Sequence, residues 1–112
     1  MKRWISLLAL LVLSVTTATL IAEPAYARWF RYPGISCGPD QHAVISTYAT
    51  GSGYVNGQYA YSVGGPGGGV RFAGFRVGTG SHSIVVPSRS LDSYDVVAGG
   101  GARLVSHGTS CR

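Results

Sequence analysis

Beyond residue 40 the chain sets short apolar and aromatic runs between glycine clusters. Nowhere do apolar residues recur at i, i+3, i+4 and i+7 for three turns, so the helical period is missing and the β reading prevails. A first strand is expected over 41–50, where Val44, Ser46 and Tyr48 alternate with Ala43, Ile45 and Thr47, and Gly51-Ser52-Gly53 is expected to turn the chain. A second strand follows over 54–63, with Tyr59, Tyr61 and Val63 on one face. Asn56-Gly57 inside it suits a type I′ hairpin or a bulge, and the clean strand beyond Gly57 favours the bulge. After the loop 64–69, the run 70–78 is apolar in both phases, Val70 and Phe72 in one and Phe75 and Val77 in the other. Gly74 between them predicts a bulge where the strand switches faces.

Three further strands are predicted at 82–86, 94–98 and 102–107, with a connection over 88–93 and a turn at Gly99-Gly100-Gly101. Segment 28–39 reads as an extended lead-in with turns at Pro33-Gly34 and Gly38-Pro39. Strands at this spacing predict an all-β domain: a small antiparallel β-sandwich, Ig-like or a partly open barrel, of about six to seven strands. Its core would draw on Val44 or Ile45, Tyr61, Val63, Phe72, Phe75, Ile84, Val86, Val96 and Leu104.

The N-terminus follows a different pattern. Lys2 and Arg3 precede an almost unbroken apolar stretch from Ile5 to Ala22, and Pro24 stands before Ala25-Tyr26-Ala27, an A-x-A signature. This is the layout of a cleavable secretory signal, expected over residues 1–27. The stretch has the length of a membrane span. Ser14, Thr16, Thr17 and Thr19 weaken its second half, however, and the cleavage signature follows at the proper distance. A secreted single domain of residues 28–112, without stable membrane insertion after cleavage, is therefore expected in the extracellular space, periplasm or cell envelope.

Composition sharpens this picture. All seventeen glycines lie between Gly34 and Gly108, a density incompatible with helices, where each costs ~1 kcal/mol against alanine. The two cysteines, Cys37 and Cys111, are expected to pair in an exported chain. Closing so long a loop contributes up to ~4.5 kcal/mol in the chain-entropy account, comparable with the whole net stability of a small domain. The expected domain carries seven arginines, no lysine and three aspartates, a net charge of +4. The arginines stand singly, with no basic run or recognition helix, so nucleic acid is not the expected partner.

Catalytic chemistry finds little support. His42, His82 and His107 fall on separate predicted strands without paired spacing, and no CxxC is present, so neither a metal site nor a cofactor is expected. There is no G-x-S-x-G elbow, and the loop Gly64–Gly69 lacks the Gly-Lys-Ser/Thr ending of a phosphate cradle. With only Asp92 and Asp95 as neighbouring acids, paired-carboxylate hydrolysis has no basis. The protein is not expected to be an enzyme.

Ten aromatics within residues 28–112, by contrast, exceed what so small a core requires, so some must be exposed. Tyrosine, tryptophan and arginine dominate protein interfaces and sugar-stacking surfaces. The densest group is Arg28-Trp29-Phe30-Arg31-Tyr32, read either as a terminal strand covering the sandwich edge or as a binding arm. The candidate binding residues are Trp29, Arg31, Tyr32, Tyr54 and Tyr59. Trp29, Arg31 and Tyr32, with Ser106-His107-Gly108 before Cys111, resemble the ends of the small secreted bacterial α-amylase inhibitors, which insert a Trp-Arg-Tyr triplet into the enzyme. Here Phe30 interrupts the triplet, one cysteine pair replaces two, and the group lies outside the disulfide loop. The function these features predict is a non-catalytic binding module for an extracellular protein or a cell-envelope polysaccharide, the resemblance adding an inhibitor of a secreted hydrolase. The alternative is a surface-assembly protein, since glycine- and valine-rich strands with few charges pair readily edge to edge.

Overall fold

The computed structural model describes residues 29–112; the signal expected over 1–27 lies outside them. The described chain is all β. Five strands occur in order: β1 (Tyr32–Ser36), β2 (Ala43–Val63), β3 (Gly69–Val77), β4 (Gly80–Val85) and β5 (Ser90–Cys111). They form one antiparallel sheet in the order β1-β5-β2-β3, with β4 also paired to β2. The sheet is curled into a half-barrel rather than split into the expected sandwich.

Two long strands make the difference. Strand β2 absorbs the first two predicted strands, and β5 absorbs the segments 94–98 and 102–107. Their pairing runs from Ala43↔Cys111 to Ser62↔Ser90, with one register shift on each side of its middle. The glycine clusters at 51–53 and 99–101, read as turns, instead face each other across this ribbon, with Ser52↔Gly101 and Gly53↔Gly100 in register. They bend both strands together. Gly51 and Gly100 have φ of 88° and 65°, values that side-chain-bearing residues avoid, and a Cβ on Gly53 would strike the β5 backbone.

The bend is sharp. Tyr94 Oη and His107 Nδ1 lie 2.7 Å apart although 13 residues separate them along β5, a stretch that would span ~43 Å if straight. The ribbon thus folds into two walls facing a shared interior. Residues 43–49 of β2, 104–111 of β5 and β4 form the first wall; residues 55–63 of β2, 90–98 of β5, β1 and β3 form the second.

Ala43, Ile45, Val55, Val86, Leu91, Tyr94 and Val96 are buried between the walls, and Tyr61, Phe75, Ile84 and Leu104 pack against them. Each large aliphatic side chain so buried contributes ~1.5–3 kcal/mol. Val44 is buried as well. Phe72, expected in the core, is 59% exposed. Cys37 and Cys111 are bonded, with Cα atoms 5.6 Å apart, joining the end of β1 to the end of β5 and hence one wall to the other. A disulfide of this kind fits an oxidising, non-cytosolic compartment.

Neither predicted bulge occurs. Asn56 and Gly57 pair in regular register with both neighbours, and Gly74 pairs regularly with Gln58. Strand β3 keeps one alternation: Phe75 and Val77 point inward while Val70 and Phe72 point outward. The irregularities lie in β5, where Asp92 and Val105 are extra residues, one on each side of the bend. Pro33-Gly34, expected as a turn, lies within β1.

Candidate functional site

Directly paired residues on adjacent strands present their side chains to the same face, so the register assigns the outer face of the second wall. Its rows are Ser36, Ser90, Ser62 and Val70; then Pro33, Ser93, Ala60 and Phe72; then Asp95, Gln58 and Gly74; then Val97, Asn56 and Arg76. Ser93, Ala60 and Gly74 in the middle rows are small, which leaves room beside Phe72 for a covering segment. The N-terminal arm supplies it. Trp29 meets Phe72 edge to face at 6.2 Å between centroids, and Phe30 meets the same ring at 6.3 Å. Ala60 and Ser93 have no exposure, and Ser93 Oγ has no hydrogen-bond partner.

Three hollows follow one another across this face. The largest, about 550 Å³, is walled by Trp29, Pro33 and Val70 over Ser62, Ser90 and Asp92. A second, about 320 Å³, lies between Phe30 and Phe72 beside Gln58 and Gly74. The third, about 180 Å³, is bordered by Asn56, Gln58, Asp95 and Val97. Along β2 they extend from Ser62 to Asn56, about 20 Å.

The polar groups along this path are partly tied down. Ser62 Oγ lies 3.0 and 2.8 Å from the two oxygens of Asp92, to which it donates, and the Ser62 carbonyl accepts from Ser88 Oγ at 2.6 Å. Asp92 is the extra residue of its bulge, a device that re-aims a side chain. Its carboxylate has no cationic partner among the described residues. Asp95 is engaged, accepting from Arg31 Nε at 2.9 Å. Arg76 donates to Asn56 Oδ1 at 2.8 Å and lies over the Tyr54 ring at 4.3 Å.

The five residues expected to bind therefore divide. Trp29, Arg31 and Tyr54 belong to the outer face. Tyr32 and Tyr59 do not: they belong to an inner row, Tyr32-Tyr94-Tyr59-Ala73. Tyr59 is 7% exposed, and Tyr32 stacks on His107 at 4.3 Å. The triplet resembling the amylase inhibitors is thus split between opposite faces of the sheet. Phe30, Gln58, Ser62, Phe72 and Asp92 join Trp29, Arg31 and Tyr54 on the outer face and were not among the binding residues expected from sequence. One signal for them existed: β3 is apolar in both phases, so one of its two apolar sets had to face outward.

The inner row is structural. Burial raises the Tyr94 phenol above its ordinary 10.0, and the neighbouring Tyr32 adds to the effect. Tyr59 is raised in the same way by burial and by Tyr61. Tyr94 and His107 share a hydrogen bond across the interior, which clasps the two walls. The other histidines bond to backbone, His42 to the Val86 carbonyl and His82 to that of Thr79. No three His, Cys, Asp or Glu side chains converge as metal ligands among the described residues. Comparison with known proteins finds no matching family model, no matching curated protein and no matching solved structure.

Proposed function

We propose that this protein is a secreted, non-catalytic binding module that takes an extended ligand along the outer face of the second wall. The observation that carries the reading is Phe72. It is the most exposed large apolar side chain among the described residues, 59% accessible, yet it is held edge-on by Trp29 and Phe30 at the rim of a hollow of about 320 Å³. Folding gains little from such a ring, whereas a rigid aromatic cluster with a polar rim is the usual anchor of a recognition surface. The partner is an extracellular protein or a cell-envelope polysaccharide, and inhibition of a secreted hydrolase is one form such binding takes.

The test is an affinity column of the oxidised protein exposed to secreted and cell-envelope fractions, beside columns of Phe72→Ala and Trp29→Ala. A species retained by the parent and lost from both variants is the expected result. Equal retention on all three columns would remove the outer face from the function.

A second reading, surface assembly, is favoured by one observation. From Val97 to Ser110, β5 has no strand partner on the side away from β2 among the described residues, and open edges template pairing between chains. Concentration-dependent sedimentation that persists in Phe72→Ala would favour it over ligand binding.

A further inference from the structure

Resting on the binding-face reading, we propose that the ligand is a neutral, hydroxyl-rich polysaccharide lying along the path from Asp92 to Asn56. Charge decides between ligand classes. Two carboxylates, Asp92 and Asp95, border the path. Its two guanidinium groups are already engaged, Arg31 by Asp95 and Arg76 by Asn56 and Tyr54. The two guanidiniums only balance the two carboxylates, so a polyanion, whether nucleic acid, uronate or sulfated polymer, would find no net positive charge along the path. A polycation would find no net negative charge there either, and would approach a domain whose net charge over residues 28–112 is +4.

A neutral polyol suits what remains. Asp92 already accepts the Ser62 hydroxyl through both oxygens and keeps free acceptor positions for further hydroxyl donors. Gln58, exposed and without a side-chain partner among the described residues, offers both a donor and an acceptor in the middle of the path. Trp29, Phe30 and Phe72 provide apolar surface for the C–H faces of sugar rings, as aromatic groups do where a ligand has one apolar and one wet side. The hollows lie in sequence along about 20 Å of β2, a linear arrangement that fits a chain of repeating units.

The experiment is depletion of the oxidised full chain from solution by insoluble cellulose, chitin and amylose. Soluble polygalacturonate and polylysine serve as charged probes, read by mobility in affinity electrophoresis. Binding to at least one of the three neutral polymers is expected, unchanged by 0.5 M salt because no ion pair carries it. Phe72→Ala and Asp92→Asn should each weaken it by roughly tenfold. Gln58→Ala, on an exposed position away from the bend, should weaken it less while leaving the thermal melt unchanged. It serves as the reporter if either of the others melts early.

Binding to none of the three neutral polymers overturns the proposal, as does binding only to a charged probe or neutral-polymer binding indifferent to all three variants. A Phe72-dependent protein captured on the affinity column together with no polysaccharide binding would refute the ligand class alone. Loss of Phe72 dependence in both experiments would refute the binding face itself.

Discussion

The two walls of the folded ribbon share a fold and differ in what they show to solvent. On the first wall the outer rows are Val85, Val44 and Ser110, then Ser83, Ser46 and Gly108, then Ser81, Tyr48 and Ser106, small hydroxyls and aliphatic side chains, Val85 and Val105 exposed among them, around a single exposed tyrosine. On the second wall the corresponding face carries Phe72, the arm of Trp29 and Phe30, two amides, two carboxylates and Arg76. Both inner faces feed the same core, the first wall through Ala43, Ile45, Ile84 and Leu104 and the second through Val55, Leu91, Tyr94 and Val96. The difference teaches where selection for packing stops. A sheet needs only one buried face, so the aromatic second face of β3 calls for an explanation other than stability.

The comparison can be broken most severely at the joint between the walls. Replacing both cysteines by serine should lower stability by ~4 kcal/mol, measured by urea unfolding of the oxidised parent and the variant. Retention of the full stability would mean that the ribbon alone holds the walls together. Next in size is the bend. Gly51→Ala places a side chain at φ 88° against the Gly101 carbonyl, and a loss of about 1–3 kcal/mol is expected. The same substitution at Gly64, which has open space around it and no positive φ, should cost far less.

Smaller again is the clasp. Tyr94→Phe removes the hydrogen bond to His107 and should cost ~1 kcal/mol. It also changes the alkaline limb. Because the folded protein holds the Tyr94 and Tyr59 protons above their ordinary 10.0, the unfolded chain binds fewer protons at high pH. That part of the stability is therefore full below about pH 10 and lost as pH rises through the raised values. Melting temperature followed from pH 8 to 12 should fall less steeply in Tyr94→Phe than in the parent. Smallest of all for stability is Phe72→Ala, expected within about 1 kcal/mol of the parent, although it carries the largest expected effect on binding. A large stability loss there would make Phe72 part of the core and erase the contrast between the walls.

Much of the fold was legible in the sequence: the all-β class, the disulfide, the inward set Ile45, Val86, Val96 and Leu104, and most strand positions. Continuity was not. Gly51-Ser52-Gly53 and Gly99-Gly100-Gly101 carry the local chemistry of turns, and only their pairing with one another across fifty residues makes them a bend. The Asp92 bulge was equally hidden, since an extra residue is defined by its partner strand and not by its own type. Leu91 and Tyr94 both point inward despite their odd spacing because Asp92 stands between them. Trp29, Arg31 and Tyr54 were chosen by residue type, and all three lie on the outer face. Tyr32 and Tyr59 were chosen by the same rule and belong inside, because aromatic type alone does not say which face of a strand a residue takes.

The position of the disulfide also decides how the molecule carries mechanical load. Tension applied at the two ends of the chain enters the sheet near Cys37 and leaves near Cys111, and the covalent bridge joins those points directly. The 74-residue loop between them, which holds β2, β3, β4 and β5, is shunted out of the force path and cannot be unravelled from the ends. Among the described residues, β1 and the aromatic arm upstream of Cys37, with Arg112 at the other end, remain in series with the pull. A tethered molecule under shear would peel away the strip that covers its own outer face while the half-barrel behind it stayed intact.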